Sequence, residues 1–207
     1  MKKQFLLLLL IVGFVQLQAQ ETTNTSLRKG LHIGAHFTPG YGTILTEAYD
    51  NLAMGFGMTT GLDMNFYFSN LFGIHTGVTY LNQPWRYKFD DINIHEEKDI
   101  SANVGSIGIP VKFLLTTGKK TVGFHLEAGF AVYFPVSYSS DVDMGLLETS
   151  TAMFASELAA GINLKASDNI NFNILAFSHT AFPVFSNIDK SYGMLSGLKL
   201  GFMYHLK

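Results

Sequence analysis

Residues 54–68 read Met54-Gly55-Phe56-Gly57-Met58-Thr59-Thr60-Gly61-Leu62-Asp63-Met64-Asn65-Phe66-Tyr67-Phe68. The even positions are apolar apart from Thr60. The odd positions are Gly, Thr, Asp, Asn and Tyr. A period of two places successive side chains on opposite faces of an extended chain. The stretch is therefore a strand with one apolar and one polar face. It runs for fifteen residues. A soluble strand averages ~5–6 residues, and a membrane-spanning strand needs ~9–11.

The alternation recurs over Leu31–Thr38, Phe72–Tyr80, Ile107–Phe113, Val122–Val132, Phe154–Lys165, Ile170–Phe177 and Tyr192–Leu206, which makes eight strands. Eight is the smallest even number found in outer-membrane barrels. The expected fold is all-β: an eight-stranded antiparallel transmembrane β-barrel. Short connections fall at Ser69–Leu71, Thr116–Lys120 and Ala166–Asn169. Longer ones fall at about Pro39–Ala53, Asp90–Ile100, Ser139–Thr151 and Pro183–Ser191. Short turns at one end and long loops at the other are the asymmetry of such barrels. With a periplasmic N-terminus, every long connection lies outside the cell. The fourth strand is the least regular, because Pro110 lacks a ladder donor.

A soluble lipocalin-like barrel would turn its apolar face inward and cover its exterior with charge. Here the opposite face is mostly Gly, Thr, Asn and Ala, which suits a narrow lumen. Aromatics gather at strand ends: Phe66, Phe68 and Phe72, then Trp85, Tyr87 and Phe89, then Tyr133 and Phe134, then Phe202 and Tyr204. They are expected to form the two interfacial girdles.

Composition agrees. Charged residues are 14% of the 207, against roughly 25% in a soluble domain. Hydrophobic residues are 47%, too many for intrinsic disorder. No apolar run reaches the ~20 residues of a membrane helix. The chain has no Cys, which excludes a disulfide scaffold, a thiolate metal site, a Cys nucleophile and a lipoprotein anchor. A formal charge of -2 makes no case for nucleic acid.

The first segment reads as an address. Met1-Lys2-Lys3 is positive, Phe5–Val15 is apolar, and Leu17-Gln18-Ala19 fits a cleavage site, so residues 1–19 are expected to be a secretory signal peptide. Cleavage would leave residues 20–207 as a single barrel domain of 188 residues with a formal charge of -4.

Two stretches carry a resemblance. Ile107-Gly108-Ile109-Pro110-Val111-Lys112-Phe113 resembles the strand-four signature of the PorT-like outer-membrane β-barrel family of Bacteroidota. Phe124-His125-Leu126-Glu127-Ala128-Gly129-Phe130 resembles that family's next strand. The family usually carries Glu before the Ile-Pro, where this chain has Gly108. The resemblance implies an outer-membrane barrel in a functionally mixed family, some members of which are linked to protein secretion and gliding. At the C-terminus, Lys199-x-Gly201-x-x-Tyr204-x-Leu206 resembles the signal read by the barrel-assembly machinery, with Lys207 as an extra terminal residue.

Several groups could carry chemistry. The four long connections hold 11 of the 16 acids: Glu47, Asp50, Asp90, Asp91, Glu96, Glu97, Asp99, Asp141, Asp143, Glu148 and Asp189. Such a crown solvates the outside, or holds divalent cations or a partner. Arg28, Lys29, Lys119, Lys120, Lys165 and Lys207 lie near the other end. Six histidines share the lumen phase: His32, His36, His75, His125, His179 and His205. Of these His32, His75, His125 and His205 lie towards the periplasmic end, as lumen filling or as ligands for Zn or Cu. Asp63, Lys112, Glu127, Glu157 and Lys199 also face inward. Lone buried charges are costly, so they are expected to pair. An eight-stranded barrel is just wide enough for its own side chains, which favours a plug over a pore.

Catalytic motifs are lacking. Ser178 and His179 are adjacent, so the pleat points them to opposite faces. His95-Glu96-Glu97 has no second His of a zinc helix, and no Gly-x-Ser-x-Gly elbow occurs. The sequence reads as a non-enzymatic envelope barrel without a cofactor. It would touch outer-membrane lipid, the assembly machinery and an unidentified loop-binding partner. A narrow channel or small-ligand transporter, and more remotely a lipid-modifying enzyme, stand as alternatives.

Overall fold

The computed structural model describes residues 29–45, 52–91, 96–118, 121–140, 150–184, 186 and 191–206. The signal segment 1–19 lies outside them, as do Arg28, Glu47, Asp50, His95, Lys119, Lys120, Asp141, Asp143, Glu148, Asp189 and Lys207.

Eight long strands form one closed antiparallel sheet. They are β1 (Gly30–Leu45), β2 (Gly55–Tyr67), β3 (Phe72–Asp91), β4 (Glu96–Thr116), β5 (Val122–Ser140), β6 (Met153–Lys165), β7 (Ile170–Phe182) and β8 (Tyr192–Leu206). Each pairs with its neighbours in sequence, and β1 pairs with β8 to close the ring. Leu52–Ala53 adds a two-residue ladder beside Arg86 and Tyr87 of β3. The shortest strands have 13 residues. At ~3.3 Å per residue and a tilt of ~40° they rise enough to cross an apolar band ~25 Å tall.

The faces follow the period-two expectation. Ile33, Phe37, Leu62, Phe66, Val111, Phe130, Phe154 and Leu198 point outward and are exposed, while His32, His36, Asp63, Asn65, Lys112 and Glu157 are buried inside. The short turns use their side chains to stop the strands. Ser69 Oγ accepts from the amides of Leu71 (3.2 Å) and Phe72 (2.8 Å). Ser167 Oγ does the same for Asn169 (3.3 Å) and Ile170 (3.1 Å). Gly118 takes a φ of 90° that suits only glycine there.

Four features correct the sequence reading or add to it. Asp90–Ile100 is not a long loop. β3 and β4 stay paired up to Asp91 opposite Glu96, so a two-stranded ribbon rises past the rest of the wall. Likewise Pro39–Leu45 belongs to β1, where Gly40, Thr43 and Ile44 are buried.

The second correction concerns the girdles. Trp85 and Tyr133 are fully buried inside, because β3 and β5 keep their lumen phase to those positions. Emission from Trp85, the one Trp of the chain, is therefore expected to be nearly insensitive to brominated lipid in vesicles. A girdle tryptophan would be quenched strongly.

Third, within an inward face that is mostly small and polar stands an apolar level: Ile44, Leu81, Val104, Met153, Leu175 and Leu195 join Trp85 and Tyr133 in a buried cluster. Fourth, inward Gly129 opens no room in the lumen. A Cβ on Gly129 would fall on the carbonyl oxygen of Val111 and 2.6 Å from Lys112 Cα, so neighbouring backbone already occupies that space. Pro110 sits where the β3–β4 ladder lapses between Thr76–Val111 and Thr79–Gly108, as a residue without N–H requires.

Candidate functional site

The lumen is filled in three levels. At the long-connection end lies the apolar cluster. Gln83 Nε2 ties β3 across to β1 and β8 by donating to the carbonyls of Thr43 (3.1 Å) and Met194 (2.8 Å). Val184, from the connection after β7, packs fully buried into the same cluster. It is held by hydrogen bonds from Ser150 N to Val184 O (3.0 Å) and from Val184 N to Ser191 Oγ (3.0 Å).

Below it the five inward charges meet, drawn from β2, β4, β5, β6 and β8. Lys112 Nζ lies 2.8 Å from Glu157 Oε2 and 3.3 Å from Glu127 Oε2. Lys199 Nζ lies 2.7 Å from the same oxygen of Glu127. Glu157 Oε1 also accepts from Tyr133 Oη (2.5 Å) and His179 Nδ1 (3.3 Å). Asp63, the third carboxylate, accepts from His36 Nδ1 at 2.8 Å, and His75 Nε2 lies 3.7 Å from it, beyond hydrogen-bond distance. Isolated ions in such a place would cost several kcal/mol each, and pairing together with hydrogen bonds offsets that cost. The structure brings Lys112, Glu127, Glu157 and Lys199 together in ion pairs, whereas Asp63 is paired with His36.

Towards the short turns a chain of hydrogen bonds begins. His125 Nε2 donates to Glu127 Oε1 at 3.2 Å, and its Nδ1 is bonded to Thr116 Oγ1 at 2.6 Å. Tyr67 Oη is bonded to the same hydroxyl at 3.1 Å. His75 Nδ1 donates to Asn65 Oδ1 at 2.7 Å, and Asn163 Nδ2 donates to Asn173 Oδ1 at 2.6 Å. A cavity among His32, Tyr67, Thr116 and these asparagines measures ≈ 10 Å³. That is room for about one water.

His32 and His205 stack across the closing seam, with centroids 4.4 Å apart and planes 9° apart. Face-to-face rings do not converge on one ion. Among the described residues no three His, Cys, Asp or Glu side chains are grouped to hold a metal. Ser178 faces outward, 3.5 Å from Ser196 Oγ, whereas His179 is buried, so the two diverge. Lys199 and Gly201 face inward while Tyr204 and Leu206 face outward, each on the face its period assigns. Tyr67, Thr116 and Tyr133 belong to the network but were not among the expected residues. Their shared phase with Asp63, Lys112 and Glu127 is the signal that places them there.

A family model described as "Outer membrane protein beta-barrel domain" matches residues 18–189. No curated protein matches the chain. Among solved structures, Neisserial surface protein A superposes with a TM-score of 0.52 at 10% identity, covering 86% of this chain and 98% of that one. OprG of Pseudomonas aeruginosa superposes with a TM-score of 0.51 at 10% identity, covering 88% and 100%. At such identities the likeness concerns the fold alone.

Proposed function

Since the chain belongs to the outer membrane protein β-barrel domain family, and so sits in the outer membrane, we propose that it serves as a closed, non-enzymatic scaffold. It displays its acidic long connections and its β3–β4 ribbon to a partner or to divalent cations, in a role accessory to secretion or surface assembly. The PorT-like motif Ile107–Phe113 supports the barrel and its place in the outer membrane. One observation carries the proposal: among the described residues, inward side chains from Trp85 and Val184 through the ion pairs to Asn163 and Asn173 are buried. What such a barrel offers is its ends and its wall.

Planar-bilayer recording on the purified protein tests this. No stepwise conductance is expected. Reproducible steps from folded protein, altered by lumen substitutions such as Lys112→Met, would favour the narrow channel instead.

The C-terminal pattern is proposed to engage the assembly machinery during biogenesis, through Lys199, Gly201, Tyr204 and Leu206. A Cβ on Gly201 would meet Asn173 Cβ at 3.4 Å, an ordinary contact. Gly201→Ala is therefore expected to refold in vitro as the wild type does, yet to assemble several-fold more slowly in cells. Equal assembly rates would remove Gly201 from the signal.

A further inference from the structure

The outward wall is not uniformly convex. A groove of ≈ 470 Å³ crosses β4 to β8. It lies between two register rows. One runs Val111–Phe130–Ser156–Thr180 and the next Ile109–Val132–Phe154–Phe182. Phe130 and Phe154 are among the most exposed side chains of the wall, at 74% and 66%. Ser156 and Thr180, opposite one another, are too small to fill the gap beside them. Phe182 and Tyr192, stacked with centroids 5.0 Å apart, border its upper end.

The groove descends. Ile109, Val132, Phe154 and Phe182 form one register row, and Tyr192 of β8 stacks on Phe182 at its end. The row crosses four gaps between strands, each ~4.8 Å wide, and with ~40° of strand tilt it drops roughly 12 Å from Tyr192 to Ile109. One leaflet of a ~30 Å hydrocarbon core is ~15 Å deep. The groove thus runs down a length comparable to one leaflet.

We propose that this groove is a binding site for one acyl chain of a lipid from the leaflet at the long-connection end. Burial from water contributes nothing here, because the surroundings are already apolar. What favours the site is dispersion: a chain in the groove touches more protein than one on a convex wall. The preferred chain is straight and saturated, because it must follow the descent without a kink. The gain is correspondingly modest.

The full chain, purified in a mild detergent and incubated with dipalmitoyl phosphatidylglycerol, would be examined by native mass spectrometry. One lipid should survive detergent removal. Ser156→Phe and, independently, Thr180→Leu fill the groove with outward apolar groups, and each should reduce that adduct by about tenfold. Ser156→Ala should leave it unchanged. The heat-dependent gel shift of each variant establishes that it is folded. An equal adduct on folded Ser156→Phe and Thr180→Leu would overturn the proposal. So would a dimer that both variants abolish, since a second copy would then be the occupant. A conducting lumen would defeat the scaffold reading and leave this result untouched.

Discussion

Glu127→Gln should destabilise the folded barrel by about 3–5 kcal/mol, the cost of stranding a buried charge. The substitution keeps the side chain's shape and removes its charge. Lys112 still has Glu157 at 2.8 Å. Among the described residues Lys199 has no other carboxylate within bonding distance, and its side chain is only 3% exposed. Its ammonium would be left in a dry lumen that cannot readily admit water. Urea titration in vesicles, followed by the fraction that resists unfolding on an unboiled gel, reads the effect. Lys199→Met should also destabilise. The double variant Glu127→Gln/Lys199→Met should recover much of the loss, with a coupling of about 1–3 kcal/mol. Additive losses would mean that the two side chains contribute independently, and the ion-paired level would lose its energetic meaning.

Gly129→Ala should be comparably severe, although it adds a single methyl. The atoms in the way are the Val111 carbonyl and Lys112 Cα of the adjacent strand. Backbone held in a closed ladder cannot swing aside as a side-chain end can. Overpacking typically costs about 1–3 kcal/mol and occasionally more. With backbone as the obstacle the upper end is expected, seen as a large loss of the heat-shifting band on refolding. Wild-type refolding would mean that the strands have room to separate, and the case for a narrow water path would return. The ordinary contact available at Gly201 makes Gly201→Ala the control in the same assay.

The period-two pattern made strand number, strand order and facing legible. It placed Asp63, Lys112, Glu127, Glu157, Lys199 and six histidines on one surface. Which of them touch was not legible, because height around a barrel depends on tilt and stagger as well as on position along a strand. Lys112 lies opposite Gly129, not Glu127, in the β4–β5 ladder, and the ion pair forms across the pleat. The apolar cluster was hidden by the assumption that the face away from lipid is polar. Trp85 obeys the phase of His75, but its aromatic ring suggested a place in the girdle. The ribbon beyond Arg86 was hidden for a different reason: without a membrane there is no period to read.

The seam between β1 and β8 also bears on how the protein is made. Leu31 lies beside Leu206, 175 residues later, so the ring has no final edge until the last strand has been synthesised and delivered. Nascent chain leaving the ribosome carries exposed alternating segments whose unpaired edges invite the wrong neighbours. A contact of such long range is also slow to form, because its loop must close before the pairing rewards it. Production of this protein is therefore expected to depend on escort between synthesis and insertion, and its yield on the supply of escorts more than on the stability of the finished wall.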